Sequence, residues 1–122
     1  MIYDGAHNPQ GIAAAVESIK LYFGDEKVYL LTGVLRDKDY TAIANDLSSV
    51  ACRAFTLTPD SPRALDSKEY AQVLCAAGIQ AQAYDSISAA FTEAKNEARK
   101  VGVPLVCLGS LYVYSSLMDM FR

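Results

Sequence analysis

Two periodicities alternate along the chain. Runs that are apolar almost throughout, "VYLLTGV" (Val28 to Val34) and "VPLVCLG" (Val103 to Gly109), have the length and character of parallel strands buried on both faces. "RAFTLT" (Arg53 to Thr58) and "IQAQAY" (Ile79 to Tyr84) are two more runs of strand length, and Met1 to Tyr3 reads as the end of another strand. Helical spacing of apolar positions occupies the stretches between them: Pro9 to Phe23, Asp39 to Val50, Ser67 to Ala77, Ile87 to Val101 and Leu111 to Phe121. Strand alternating with helix predicts an α/β fold, an open and mostly parallel Rossmann-like sheet with right-handed crossovers and helices on both faces. No repeat, low-complexity tract or internal linker divides residues 1–122, so they read as a single domain.

Such a sheet binds ligands beyond the carboxyl ends of its strands. The polar clusters fall there: "DGAHNP" after the first strand, "LRDKDY" after the second, "TPDSPRA" after the third and "GSLY" after the last. Four clusters distant in sequence would thus share one rim.

Each cluster also has a purely local use. Asn8 is a good helix N-cap and Pro9 suits the first helical position. Capping does not account for Asp4 and His7, the latter the single histidine, which flank the small residues Gly5 and Ala6. Small residues let a ligand approach the backbone, and the free N–H groups of the helix that follows suit a phosphate or carboxylate. Asp39 can cap the next helix, which leaves Lys38 between two acids. Arg63 sits in a turn sequence, and Ser110 can cap the last helix while facing a small carboxylate.

Composition removes several classes of function. The 122 residues carry a formal net charge of -3 with no Lys/Arg cluster, so the electrostatic footprint of a nucleic-acid binder is missing. Cys52, Cys75 and Cys107 are odd in number and set in apolar context, which predicts buried thiols in a reducing cytoplasm. Val101 to Met118 holds no charge, yet Pro104, Gly109, Ser110, Ser115 and Ser116 interrupt it. It reads as a buried strand followed by a helix, with no membrane span. A phosphate-loop motif, a G-x-G-x-x-G fingerprint and a catalytic triad are all missing from the sequence, as is a secretory signal. Because the chain opens inside a strand, it reads as a piece of a longer protein.

Taken together, "YDGAHNPQG", "LTGVLRDKDY", "LTPDSPRA" and "LGSLYVYSSL", in this order and at these spacings, resemble the C-terminal domain of folylpolyglutamate synthase/dihydrofolate synthase, a branch of the Mur ligase superfamily. The resemblance covers essentially the whole chain. It implies a Mur ligase C-terminal fold and a cytoplasmic, monomeric, ATP-dependent ligase that joins L-glutamate to folate or dihydropteroate through an acyl phosphate. It also implies that the phosphate loop and the Mg2+ ligands belong to an N-terminal ATPase domain, with no metal ligands here, so that residues 1–122 alone would be inactive. On the matching positions it implies contact with ATP for Asp4, His7 and Asn8, a catalytic role for His7, and the glutamate or closed site for Ser110, Lys38 and Arg63. Two alternatives stand beside it: the equivalent domain of a cell-wall Mur ligase, and a free-standing α/β binding module.

Overall fold

The computed structural model describes residues 2–4 and 9–108, with side chains from Ile12 onward. Five strands, β1 (Ile2–Asp4), β2 (Val28–Thr32), β3 (Ala51–Thr56), β4 (Gln80–Ala83) and β5 (Leu105–Leu108), alternate with α1 (Pro9–Phe23), α2 (Tyr40–Leu47), α3 (Ser67–Ala76) and α4 (Ile87–Val101). The strands form one sheet in the order β1-β5-β2-β3-β4, and every pairing is parallel. The expected helix over Leu111 to Phe121 lies outside the described residues.

Sequence order and sheet order together decide which helix lies where. The connections β1 to β2, β2 to β3 and β3 to β4 step the same way across the sheet, whereas β4 to β5 steps back, and right-handed crossovers put opposite steps on opposite faces. Two apolar layers follow. One joins Ile12, Val16 and Ile19 of α1, Ile43 and Leu47 of α2, and Tyr70 and Leu74 of α3 to Leu30, Ala54, Val106 and Leu108 of the sheet. The other joins Ala90, Phe91, Ala94 and Ala98 of α4 to Leu31, Phe55, Leu105 and Cys107. Residues Leu30 and Leu31, or Val106 and Cys107, go to opposite layers because successive strand side chains alternate. β5 is buried along its whole length and β2 nearly so, while the edge strand β4 exposes its alternate residues.

Local signals set the helix ends. Asp39 accepts a hydrogen bond from the Ala42 N–H at the start of α2, Asp66 from Lys68 at α3, and Ser86 from Ala89 at α4. α4 stops at Gly102, whose φ of 72° is left-handed and cheap for glycine. α2 ends at Leu47 rather than running to Val50, as the tail of that stretch turns toward β2: the Val28 N–H donates to the Val50 carbonyl at 2.9 Å.

Burial corrects one sequence expectation. Cys107 is buried, but Cys52 and Cys75 are exposed. Val28 pairs with Ala51 and Tyr29 with Arg53, so Cys52 is the extra residue of a bulge in β3 and is pushed out of the ladder. Cys75 follows the buried Leu74 by one position and so turns away from the core face of α3. Beside the bulge, Arg53 lies under α4, 3.3 Å from Glu97 and with its guanidinium 4.7 Å from the centre of the Phe55 ring.

Candidate functional site

The register of the sheet lines up its carboxyl ends. Asp4 is level with Leu108, Leu108 with Thr32, Thr32 with Thr56, and Thr56 with Ala83. The strands that precede the four polar clusters therefore end in one row. At roughly 4.8 Å per strand, the backbone of Asp4 lies about 10 Å from that of Thr32, within the span of a nucleotide or a dipeptide. His7, Asn8 and Ser110 lie outside the described residues. β1 and β5, the strands that precede them in the sequence, are neighbours in this row.

The loops after β2 and β3 form one unit. The Arg36 N–H donates to the Arg63 carbonyl at 2.7 Å and the Leu65 N–H to the Val34 carbonyl at 2.9 Å, with Leu35 and Ala64 in an antiparallel bridge between them. Side chains add two links: the Arg36 guanidinium donates to the Pro62 carbonyl at 3.0 Å, and Arg63 Nη1 lies 2.9 Å from Asp37 Oδ2. Close approach of the loops requires glycine at position 33, where a β-carbon would come within 2.8 Å of both Leu57 Cδ1 and the Leu57 carbonyl oxygen.

Beneath the loops lies a buried hydroxyl network. Thr32, Thr56 and Ser67 are 2%, 0% and 4% exposed, so each polar group needs a partner inside the protein. The Thr56 hydroxyl donates to the Ser67 carbonyl at 2.8 Å, the Ser67 N–H to Thr58 Oγ1 at 2.9 Å, and the Ser67 hydroxyl to the Tyr84 carbonyl at 3.2 Å. Tyr70 is buried next to Thr32; burial pushes its phenol well above the usual range, with a hydrogen bond from Thr32 pulling the other way. The start of α3 is thereby fixed to the ends of β3 and β4, and with it the loop that carries Arg63.

Family membership follows from comparison of the whole chain. A model of the family described as "Mur ligase, glutamate ligase domain" matches residues 1–111. The chain belongs to this family. The glutamate ligase domain is 29% identical over 118 residues to the folylpolyglutamate synthase of Lacticaseibacillus casei, a match covering 96% of this chain and 26% of that protein. The dihydrofolate synthase/folylpolyglutamate synthase of Bacillus subtilis is 30% identical over 66 residues, 54% of this chain and 15% of that protein. Among solved structures, E. coli FolC in complex with DHPP and ADP superposes with a TM-score of 0.81 at 20% identity, covering 97% of this chain and 27% of that one. Mycobacterium tuberculosis folylpolyglutamate synthase complexed with ADP and AMPPCP gives 0.84 at 22% identity, covering 97% of this chain and 28% of that one. These two structures share the fold. The glutamate ligase domain spans about a quarter of the length of the Lacticaseibacillus casei relative.

Against this frame the sequence-derived candidates separate. Lys38 and Arg63, 25 positions apart in sequence, are brought onto one pair of joined loops, as their shared rim requires. Asp39 caps its helix as expected. Lys38, held between two acids in sequence, pairs with neither: Asp39 caps α2 and Asp37 pairs with Arg63. It is half-buried, and among the described residues no carboxylate faces its ammonium. Arg36, Asp37 and Gly33 escaped the sequence reading. The apolar run Val28 to Val34 includes Gly33, but β2 ends at Thr32, and the glycine after this buried threonine marks a close approach of another backbone. An apolar groove of about 320 Å³ lies elsewhere, between α1 and β5, lined by Ala15, Ile19, Tyr22, Phe23, Val106 and Leu108. It opens on the helical flank of the sheet and belongs to no polar cluster of the rim. Among the described residues no three His, Cys, Asp or Glu side chains cluster to hold a metal, and no helix is long and apolar enough to cross a membrane.

Proposed function

We propose that residues 1–122 are the C-terminal domain of a cytoplasmic, monomeric, ATP-dependent ligase that adds L-glutamate to folate or dihydropteroate, working with an N-terminal ATPase domain. The observation that carries this reading is the glutamate ligase domain match over residues 1–111, the stretch that holds Asp4, His7, Asn8, Lys38, Arg63 and Ser110. In support, the relatives with which the chain shares sequence are named folylpolyglutamate synthase and dihydrofolate synthase, and the structural neighbours were solved with ADP, AMPPCP or, in the Yersinia pestis enzyme, AMPPNP and Mn.

The proposed reaction has two steps. A carboxylate of the folate or pteroate substrate attacks the γ-phosphorus of ATP, releasing ADP and leaving an acyl phosphate. The glutamate amine then attacks the acyl carbon, phosphate departs, and an amide remains. Mg2+, held by ligands outside residues 1–122, would neutralise phosphate charge. The rim serves both steps from the side opposite the ATPase domain. Asp4 accepts hydrogen bonds from the ribose hydroxyls, and His7 and Asn8 meet the phosphates at the start of α1, where N–H groups and the helix dipole favour negative charge. His7 stabilises the charge of the departing phosphate or orients the attacking amine. Ser110 holds the glutamate carboxylate, and Lys38 and Arg63 supply positive charge to the closed site.

The test is to compare residues 1–122 with the enzyme that also contains the ATPase domain. The isolated domain should bind ATP weakly by calorimetry and release no phosphate when given ATP, L-glutamate and dihydropteroate or a reduced folate. The two domains together should ligate glutamate. Tight ATP binding with phosphate release by residues 1–122 alone overturns the proposal.

A further inference from the structure

We propose that Asp37 is a positioning residue, its carboxylate holding the Arg63 guanidinium so that the remaining N–H donors face a substrate anion at the rim. The inference rests on the proposed function and deepens it. The anion is a carboxylate or a phosphoryl group, the chemistry common to glutamate and to ATP.

The geometry argues against a mainly structural role for the pair. Arg63 and Asp37 are 56% and 45% exposed, and exposed ion pairs contribute little to stability. Nor are they needed to join the loops. Two backbone hydrogen bonds and the bond from Arg36 to the Pro62 carbonyl already do so. The backbone from which Arg63 projects is fixed separately, by its N–H donating to Ser61 Oγ at 3.2 Å. Among the described residues, Asp37 is what determines where the guanidinium points. It occupies one donor of the five that arginine carries, at Nη1, and among the described residues no other group takes the rest. The other carboxylate of the same loop, Asp39, is committed to the α2 cap and is no substitute. The pair also lays the guanidinium against residue 37, next in the chain to Lys38, which has no ion-pair partner among the described residues.

In the complete ligase, KM for glutamate and for ATP and kcat are measured for Arg63→Met, Asp37→Asn, Asp37→Glu and the double variant Asp37→Asn/Arg63→Met, with melting curves alongside. Arg63→Met should raise the KM of one of the two substrates about tenfold or more, as loss of a charge-assisted hydrogen bond does; which KM rises identifies the anion. Asp37→Asn should raise the same KM by a smaller factor with kcat little changed, Asp37→Glu should recover most of that loss, and the double variant should be no worse than Arg63→Met. A rise in KM for Arg63→Met combined with multiplying effects in the double variant, or with no effect of Asp37→Asn, overturns the positioning role and leaves the binding role of Arg63 standing. No KM change for Arg63→Met removes the binding role itself, and the positioning role with it.

Discussion

Gly33 lies so close to Leu57 that a β-carbon at position 33 would sit 2.8 Å from both the Leu57 side chain and its carbonyl oxygen, and 3.0 Å from Pro59. Side chains can rotate away, but the Leu57 carbonyl belongs to a backbone tied to β2, its N–H donating to the Thr32 carbonyl at 3.1 Å. Relief of the clash therefore means moving the loop after β3. Gly33→Ala should lower stability by about 1–3 kcal/mol, the usual range for overpacking. The urea midpoint checks it, and an unchanged midpoint would show that the loops separate without strain.

The three thiols should differ in reactivity as their burial differs. Cys52 and Cys75 are exposed and should react promptly with an aromatic disulfide reagent in the folded protein, while Cys107 should react only after unfolding. Prompt modification of all three would contradict the burial of β5.

Alkaline pH should destabilise the fold. Burial pushes the Cys107 thiol from 9.0 up to about 12 and pushes the Tyr70 phenol above its usual value. Above about pH 9 the unfolded chain loses the thiol proton and the folded chain keeps it, so unfolding becomes more favourable as pH rises. This contribution is fully present below pH 9 and is lost progressively toward pH 12, with Tyr70 adding to the loss above its ordinary range near 10. Urea midpoints should hold steady from pH 7 to 8.5 and fall beyond, less steeply in Cys107→Ala. A flat profile to pH 11 would rule the mechanism out.

Asp4 should affect one substrate and spare the other two. On the proposed contact between its carboxylate and the ribose hydroxyls, Asp4→Ala in the complete ligase should weaken ATP by the roughly 1.5–3 kcal/mol of a charged hydrogen bond and leave folate and glutamate nearly untouched. Calorimetry with each substrate in turn checks this. Equal losses for all three would indicate a folding defect.

His7 and Ser110 should divide between chemistry and binding. A group that holds glutamate equally in ground and transition states governs KM, so Ser110→Ala should raise the glutamate KM with kcat little changed. His7→Ala should lower kcat about a hundredfold or more, because in the proposed mechanism charge develops beside it only as phosphate departs. Steady-state kinetics at saturating ATP and folate, with melting curves, separate the two. Normal kcat and KM for His7→Ala would reduce His7 to a loop residue beside a capped helix.

By itself the sequence determined the alternation of elements, because burial on both faces leaves continuous apolar runs in β2 and β5, and helix faces repeat at their own period. α1 and α4 have the bounds their patterns predict, and Asp39 caps α2 as its position before an apolar run implies. It also determined that the polar clusters follow the strands, and hence that they share a rim. Tertiary structure decided the rest. Strand order is set by which crossovers step back, a property of the whole sheet. The partners of a charged side chain depend on loops that sequence separates: Lys38 is flanked by two acids, yet Asp37 pairs with Arg63, 26 residues away, and Asp39 turns to its helix. Cys52 is exposed because the register with β2 shifts by one residue, and registry between two strands is written in neither strand alone.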